Sequence, residues 1–291
     1  MSQIDSEGLK DLLLRGGHRP TVYAPNSGNA GDTLIAEATY QLLDGIGLHY
    51  RTVSLTTKLE APHRIIVGGG GNLVDPYRNV RCFIEANLER CEELIILPHS
   101  IQAHEDLLAR LDGRATIICR EPRSFDFCKA HAPEAKIMLG HDMALLWQSS
   151  ETRRRARRAL LASVGDPRFH LRNLKLLARG FHLRSRIDNG TLLAFRQDIE
   201  STGRAPPVRN IDLSQAFATD SMAWPYAARA ANALANFIDR AQLVRTDRLH
   251  IAILSSLLGK AVEIYDNNYG KNRSIYEWSL ADRFPNLTFA S

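Results

Sequence analysis

Residues 64–72 read Arg64-Ile65-Ile66-Val67-Gly68-Gly69-Gly70-Gly71-Asn72. Three consecutive β-branched residues run into four glycines, the pattern of a buried strand whose carboxyl end opens where the backbone must turn tightly or approach another group closely. The pattern recurs along the first half of the chain. Residues 21–24 enter a loop reading Asn26-Ser27-Gly28-Asn29-Ala30-Gly31-Asp32, residues 94–97 enter Pro98-His99-Ser100, residues 115–119 enter Arg120-Glu121-Pro122, and residues 136–139 enter Gly140-His141-Asp142. After the first of these loops Leu34, Ile35, Ala38 and Leu42 fall on one helical face. Near-continuous apolar strands alternating with helices predict a parallel α/β sheet covered on both faces. In such sheets ligands sit beyond the carboxyl ends of the strands, where all these polar loops fall.

The rhythm breaks over residues 151–189 and then resumes. Residues 191–195 read as a strand, 227–240 as a helix, and 242–245 as a strand before Thr246-Asp247-Arg248-Leu249-His250. A helix through 258, a strand over 261–265 and a helix from 273 complete the pattern. Two Rossmann-like domains are therefore expected, over 1–150 and 190–291, joined by a linker with helical pieces over 151–189.

Of the 291 residues 44% are hydrophobic and 24% charged, which excludes a disordered or fibrous chain. The net charge of +5 is unevenly placed. Residues 151–186 hold ten arginines and one lysine against Glu151 and Asp166, a local +9, so the other 255 residues carry −4. That block fits a solvated helical face or an anionic membrane surface, while Phe169 and Phe181 are too sparse for a nucleic-acid stacking platform. The first ten residues lack the basic end and apolar run of a secretory signal, so a cytoplasmic protein is expected, with peripheral attachment at the inner face of the cell membrane through the basic block. Cys82, Cys91, Cys119 and Cys128 include no C-x-x-C pair and read as thiols of a reducing compartment.

The glycine run is not a dinucleotide fingerprint, because Leu73 stands where G-x-G-x-x-G needs its third glycine. It still allows backbone N–H groups to approach an anion, which makes Gly69, Gly70, Gly71 and Asn72 candidate ligand contacts. Asp32 either caps the helix that follows or holds a hydroxyl, and the cap is the simpler reading. Arg120 and Arg248 offer guanidinium forks suited to carboxylate and phosphate oxygens. His99 and His250 are the groups best suited to proton transfer. Arg248 and His250 project to the same side if that stretch is extended and apart if it is helical. No cluster of Asp, Glu or His has metal-ligand spacing, so neither a metal nor an organic cofactor is expected.

Taken in order, Gly28-Asn29-Ala30-Gly31-Asp32, Gly68-Gly69-Gly70-Gly71-Asn72, Leu97-Pro98-His99-Ser100, Arg120-Glu121, Asp142, Phe195-Arg196 and Asp247-Arg248-Leu249-His250 resemble the polysaccharide pyruvyl transferase family. The stretch Asp266-Asn267-Asn268-Tyr269-Gly270-Lys271-Asn272, with Trp278 downstream, resembles its bacterial exopolysaccharide branch. The resemblance implies a glycosyltransferase-B-like arrangement of two Rossmann-like domains facing a cleft. It also implies phosphoenolpyruvate as donor substrate, and an acceptor diol on a sugar or lipid-linked oligosaccharide that becomes a cyclic pyruvate ketal. By matching position His99, Arg120, Arg248 and His250 are the expected donor-site residues. Lys271 is expected to assist the donor, Asp32 to join the catalytic set, and Asn29, Asp142 and Arg196 to meet the acceptor. Two alternatives remain open: a nucleotide-sugar-dependent glycosyltransferase of the same architecture, and a non-enzymatic module whose rim residues are structural.

Overall fold

The structure, a computed structural model, describes residues 2–17, 19–198, 201, 206–267 and 270–290. Two compact units are present, one of Met1–Ser27 and Thr39–Leu146, the other of Gly28–Ala38 and Trp147–Ser291.

The first unit contains α1 (Ser6–Leu14), β1 (Thr21–Ala24), the later part of α2 (Ala30–Gly45) from Thr39 on, β2 (Arg51–Thr52), β3 (His63–Val67), β4 (Gly70–Leu73), α3 (Asn79–Asn87), β5 (Cys91–Ile101), α4 (Glu105–Leu108), β6 (Ala115–Cys119), α5 (Pro122–His131) and β7 (Lys136–Leu139). Its sheet is parallel, in the order β2-β1-β3-β5-β6-β7, with β4 paired to β5 beyond the end of β3. β1 and β6 are buried at every position, as strands covered on both faces must be. Arg64 begins the apolar part of β3 yet is wholly buried. Its guanidinium donates to the carbonyls of Leu12 and Leu13 at 2.9 and 2.6 Å, closing the end of α1, and pairs with Glu93 at 2.8 Å.

The sheet departs from the sequence expectation at its carboxyl rim. β5 continues to Ile101, so His99 and Ser100 lie in the strand and not in a loop beyond it. The last two glycines of the run similarly open a strand, β4, paired with the extension of β5, and α3 begins only at Asn79. The strand order reverses between β1 and β3, the switch point where open α/β sheets leave a crevice. The loops carrying Asn26 and Gly68 emerge there.

The second unit contains α6 (Ser149–Ala162), α7 (Pro167–His182), β8 (Thr191–Ala194), α8 (Leu213–Ala216), α9 (Trp224–Ile238), β9 (Leu243–Thr246), α10 (Leu249–Leu257), β10 (Ala261–Ile264), α11 (Lys271–Ile275) and β11 (Leu287–Phe289). Its four strands run parallel in the order β11-β10-β9-β8. The basic stretch is built from α6 and α7, both packed on the alanine-rich α9. Buried Ala156 and Ala159 of α6 leave room for close helix approach. Asp166 caps α7 through the Arg168 and Phe169 amides and accepts the Tyr226 hydroxyl at 2.6 Å. Arg155, the one arginine on the inner face of α6, is buried and pairs with Glu37 at 3.1 Å. This pair ties the start of α2 to the second unit. Among the described residues no helix is long and apolar enough to cross a membrane.

Candidate active site

In the first unit the polar rim is a closed hydrogen-bonded network. His99 is fully buried; its Nδ1 faces the Gly68 carbonyl at 3.2 Å and its Nε2 faces the Asn72 amide at 3.0 Å. An amide only donates and a carbonyl only accepts, so this arrangement fixes the neutral tautomer with the proton on Nδ1. Burial first, and then the neighbouring Arg120 guanidinium, push the His99 pKa down to about 3. Neutral and engaged at both nitrogens, His99 holds the glycine strand in place.

Asn72 extends that support, its side-chain amide donating to Asn26 Oδ1 at 2.7 Å and to the Ser27 carbonyl at 3.3 Å. Its backbone amide is the one taken by His99. The glycines are required by space. A Cβ on Gly69 would lie 2.7 Å from the Pro98 carbonyl oxygen, and Gly70 has φ of +143°, a conformation that side chains resist. Arg120, also buried, donates from Nε to Ser100 at 2.8 Å and from one terminal nitrogen to Asp142 at 2.7 Å. Asp142 uses its other oxygen to accept the Ala144 amide at 2.9 Å. Glu121 completes the cluster by accepting the Ser100 and Ser124 hydroxyls. Gly71 lies against the remaining terminal nitrogen of Arg120, where a Cβ would come to 3.1 Å.

In the second unit a second network surrounds the start of α10. Arg248 is extended, as the residue before the helix, and its two terminal nitrogens pair with Asp198 at 2.7 Å and Asp212 at 2.5 Å. Asp198 also pairs with Arg196 at 2.9 Å, and the Arg196 amide donates to Asp247 at 2.8 Å. Burial raises the Asp247 pKa above the ordinary carboxyl range. Arg248 Nε, Asn267 Nδ2 and Asn272 Oδ1 are buried polar atoms with no partner among the described residues, a cost that a bound polar ligand or water would relieve. The Arg248 side chain makes no capping hydrogen bond to the first turn of α10. His250 sits in that turn, partly exposed.

The loop before α2 meets this histidine. Asn29 Oδ1 accepts the Gly31 amide at 2.7 Å and Asp32 reaches back to the Asn29 amide at 2.9 Å, a reciprocal cap of the helix start. A Cβ on Gly31 would stand 2.5 Å from His250 Nδ1, so the glycine makes room for the imidazole. Of the predicted set, the structure gathers Asn29, Asp32, Arg196, Arg248 and His250 in the second unit and Gly69, Gly70, Gly71, Asn72, His99, Arg120 and Asp142 in the first. Asn29 and Asp32 belong with the later half of the chain because the start of α2 does.

The family described as polysaccharide pyruvyl transferase matches residues 29–269, well over half of the chain. The chain belongs to the polysaccharide pyruvyl transferase family. Among curated proteins this pyruvyl transferase family member is similar to EpsO, a candidate pyruvyl transferase of Bacillus subtilis (strain 168). The two are 28% identical over 299 residues, spanning 92% of this chain and 87% of EpsO. Among solved structures it resembles an uncharacterised protein of Klebsiella pneumoniae at 29% identity and a TM-score of 0.73, covering 99% of this chain and all of the other.

Several residues central to these networks escape a sequence reading of a pyruvyl transferase. Asp198 stands two positions after Arg196, a weak local signal, but Asp212 and Asn26 have no local sign of their partners. Lys271 opens α11 with its amide bonded to Asn267 Oδ1 at 2.9 Å, while Asn268 and Tyr269 of the same motif lie outside the described residues. Among the described residues no three His, Cys, Asp or Glu side chains gather as a metal site would require.

Proposed function

We propose that the protein transfers the pyruvyl unit of phosphoenolpyruvate to two hydroxyls of one sugar in an exopolysaccharide or its lipid-linked precursor, forming a cyclic ketal. The donor methylene carbon gains a proton, both sugar oxygens bond to C2, the C2–O bond to phosphate breaks, and inorganic phosphate leaves with the remaining proton. A group able to donate a proton and a polar pocket for carboxylate and phosphate are what this chemistry asks of a protein.

The observation that favours the reading is the start of α10. His250 stands in the first turn of α10, where backbone N–H groups and the helix dipole attract an anion, next to an arginine whose buried Nε has no partner among the described residues. His250 is the proton donor in this reading, and Arg248 and Lys271 recognise the donor anion. Arg248 is held in place by Asp198 and Asp212, so its fork is oriented in advance and binding costs little side-chain ordering. In the first unit Arg120, oriented by Ser100 and Asp142, is the donor-site cation beside Gly71 in this reading, and His99 acts as a positioning residue. Asn29, Asp32, Asp142 and Arg196 supply the polar surroundings of the acceptor.

Incubation with phosphoenolpyruvate and candidate sugar or lipid-linked acceptors, followed by mass spectrometry and a phosphate assay, tests the reading. A pyruvate adduct with matching phosphate release is expected, and His250→Ala should abolish both while leaving the fold intact. Consumption of a nucleotide sugar with no use of phosphoenolpyruvate would refute the donor assignment. Retention of most phosphate release by the His250→Ala protein would remove this histidine from the chemistry.

A further inference from the structure

Helix α7 carries two apolar stripes, and packing accounts for only one. Phe169 and Leu176 turn inward onto α9, with Phe169 edge-on to Tyr226 at 5.1 Å between ring centroids. On the opposite side Leu171, Leu174 and Phe181 are 56%, 62% and 62% exposed. At 100° per residue these three fall within one sector, next to a second outer sector that holds Arg168, Lys175 and His182. The outer surface of this helix is thus divided lengthwise into an apolar strip and a basic strip.

Helix α6 presents the same chemistry outward. Its inner face is Thr152, Arg155, Ala156 and Ala159, while Leu161, 77% exposed, lies one turn from Arg157 and Arg158. Val164, in the turn joining the two helices, is 73% exposed. Among the described residues no carboxylate pairs with Arg157, Arg158 or Lys175. The Phe181 ring is covered on one face by the Arg184 guanidinium, 4.1 Å from its centroid, so the apolar and cationic elements are in direct contact.

Large apolar side chains held out of the core beside unpaired cations match a surface that is apolar at depth and negative at its headgroups. We infer that the outer faces of α6 and α7 dock on an anionic lipid bilayer, with Leu171, Leu174 and Phe181 entering the headgroup boundary and the flanking basic residues meeting lipid phosphates. The charge complementarity selects this occupant over a second copy of the chain, because two copies meeting through this face would set Arg157, Arg158, Arg168 and Lys175 against their like. The inference stands apart from the transferase reading: vesicle binding needs no turnover, and turnover on a water-soluble sugar needs no vesicle.

Co-sedimentation of the full chain with vesicles of phosphatidylcholine alone, and with phosphatidylglycerol added, tests it. Sedimentation only with the anionic vesicles, weakening as salt rises, is expected. Arg157→Glu/Arg158→Glu/Lys175→Glu should lower the partition coefficient by about a hundredfold or more, and Leu171→Ser/Leu174→Ser/Phe181→Ser by about tenfold. Equal behaviour of the wild-type chain on both vesicle types overturns the inference without reference to any variant. So does undiminished binding by the charge-reversed protein. A concentration-dependent dimer that the serine variant dissolves, with no vesicle binding, would assign the face to a second copy and likewise overturn it.

Discussion

Acidification is the sharpest perturbation of the first unit, because His99 is buried in a form that excludes a second proton. Its Nε2 accepts the Asn72 amide and its Nδ1 faces the Gly68 carbonyl, so protonation breaks the first bond and sets a cation beside Arg120. Burial chiefly, and Arg120 next, hold its pKa at about 3 where an ordinary imidazole has 6.5. Between those values the unfolded chain binds a proton that the folded chain refuses. The contribution of His99 is therefore complete above the unfolded value and is lost as pH falls through it toward the folded one. At ~1.4 kcal/mol per decade, about 2 kcal/mol is lost by pH 5 and ~5 kcal/mol at the acid limit. Urea unfolding of the wild type and of His99→Gln at pH 7.5 and 5, read from hydrogen exchange of β5 amides so that the first unit is followed by itself, measures the difference. The stability gap between the two proteins should shrink by about 2 kcal/mol at the lower pH. A His99 ring proton that titrates near its ordinary value by NMR, or an identical pH dependence in both proteins, would refute the reasoning.

Three further outcomes follow from the same networks. Gly69→Ala pushes a Cβ against the Pro98 carbonyl and Gly70→Ala forces a side chain into a positive φ, so each should lower stability by about 1–3 kcal/mol in urea titrations. Asp142→Ala removes the nearer carboxylate from the buried Arg120, Glu121 standing at 3.8 Å, and should cost about 3–5 kcal/mol, with a smaller loss for Asp142→Asn, both read from the urea midpoint. Gly31→Ala sets a Cβ 2.5 Å from His250 Nδ1 and 2.9 Å from the capping Asn29 Oδ1, so the thermal midpoint should fall by roughly a few degrees even though alanine favours a helix. The added Cβ would displace the His250 imidazole and lower kcat about a hundredfold, and an unaltered kcat would separate His250 from the reaction.

Much of the architecture was legible because it depends on short-range patterns. The strands at residues 21–24, 64–67, 115–119 and 136–139 are apolar runs, and their period and length suffice to place them in a covered parallel sheet. β11 was missed, since Leu287-Thr288-Phe289 is too short to show a pattern and exists by pairing with β10. Glycine disfavours strands, so Gly70 and Gly71 give no strand signal of their own; the extension of β5 supplies the pairing that overrides this preference and makes β4. The helical pieces expected within residues 151–189 are α6 and α7, whose inner faces are marked by Ala156, Ala159, Phe169 and Leu176.

The α/β class, the family and the identity of the ionisable residues at the strand ends are all written in local spacing and order. What those residues do to one another depends on contacts that the fold makes between distant parts of the chain. Arg120 and Arg248 look alike as lone cations after strands, yet each is clamped by carboxylates that the chain brings from elsewhere, Asp142 for one and Asp198 with Asp212 for the other. His99 and His250 look equally suited to proton transfer, yet one is sealed between backbone groups while the other sits, partly exposed, in the first turn of α10. Gly31 reads as a turn residue until the fold sets it beside an imidazole more than two hundred positions away. Charge, tautomer and room are set by neighbours in space, and a linear sequence does not record which neighbours those are.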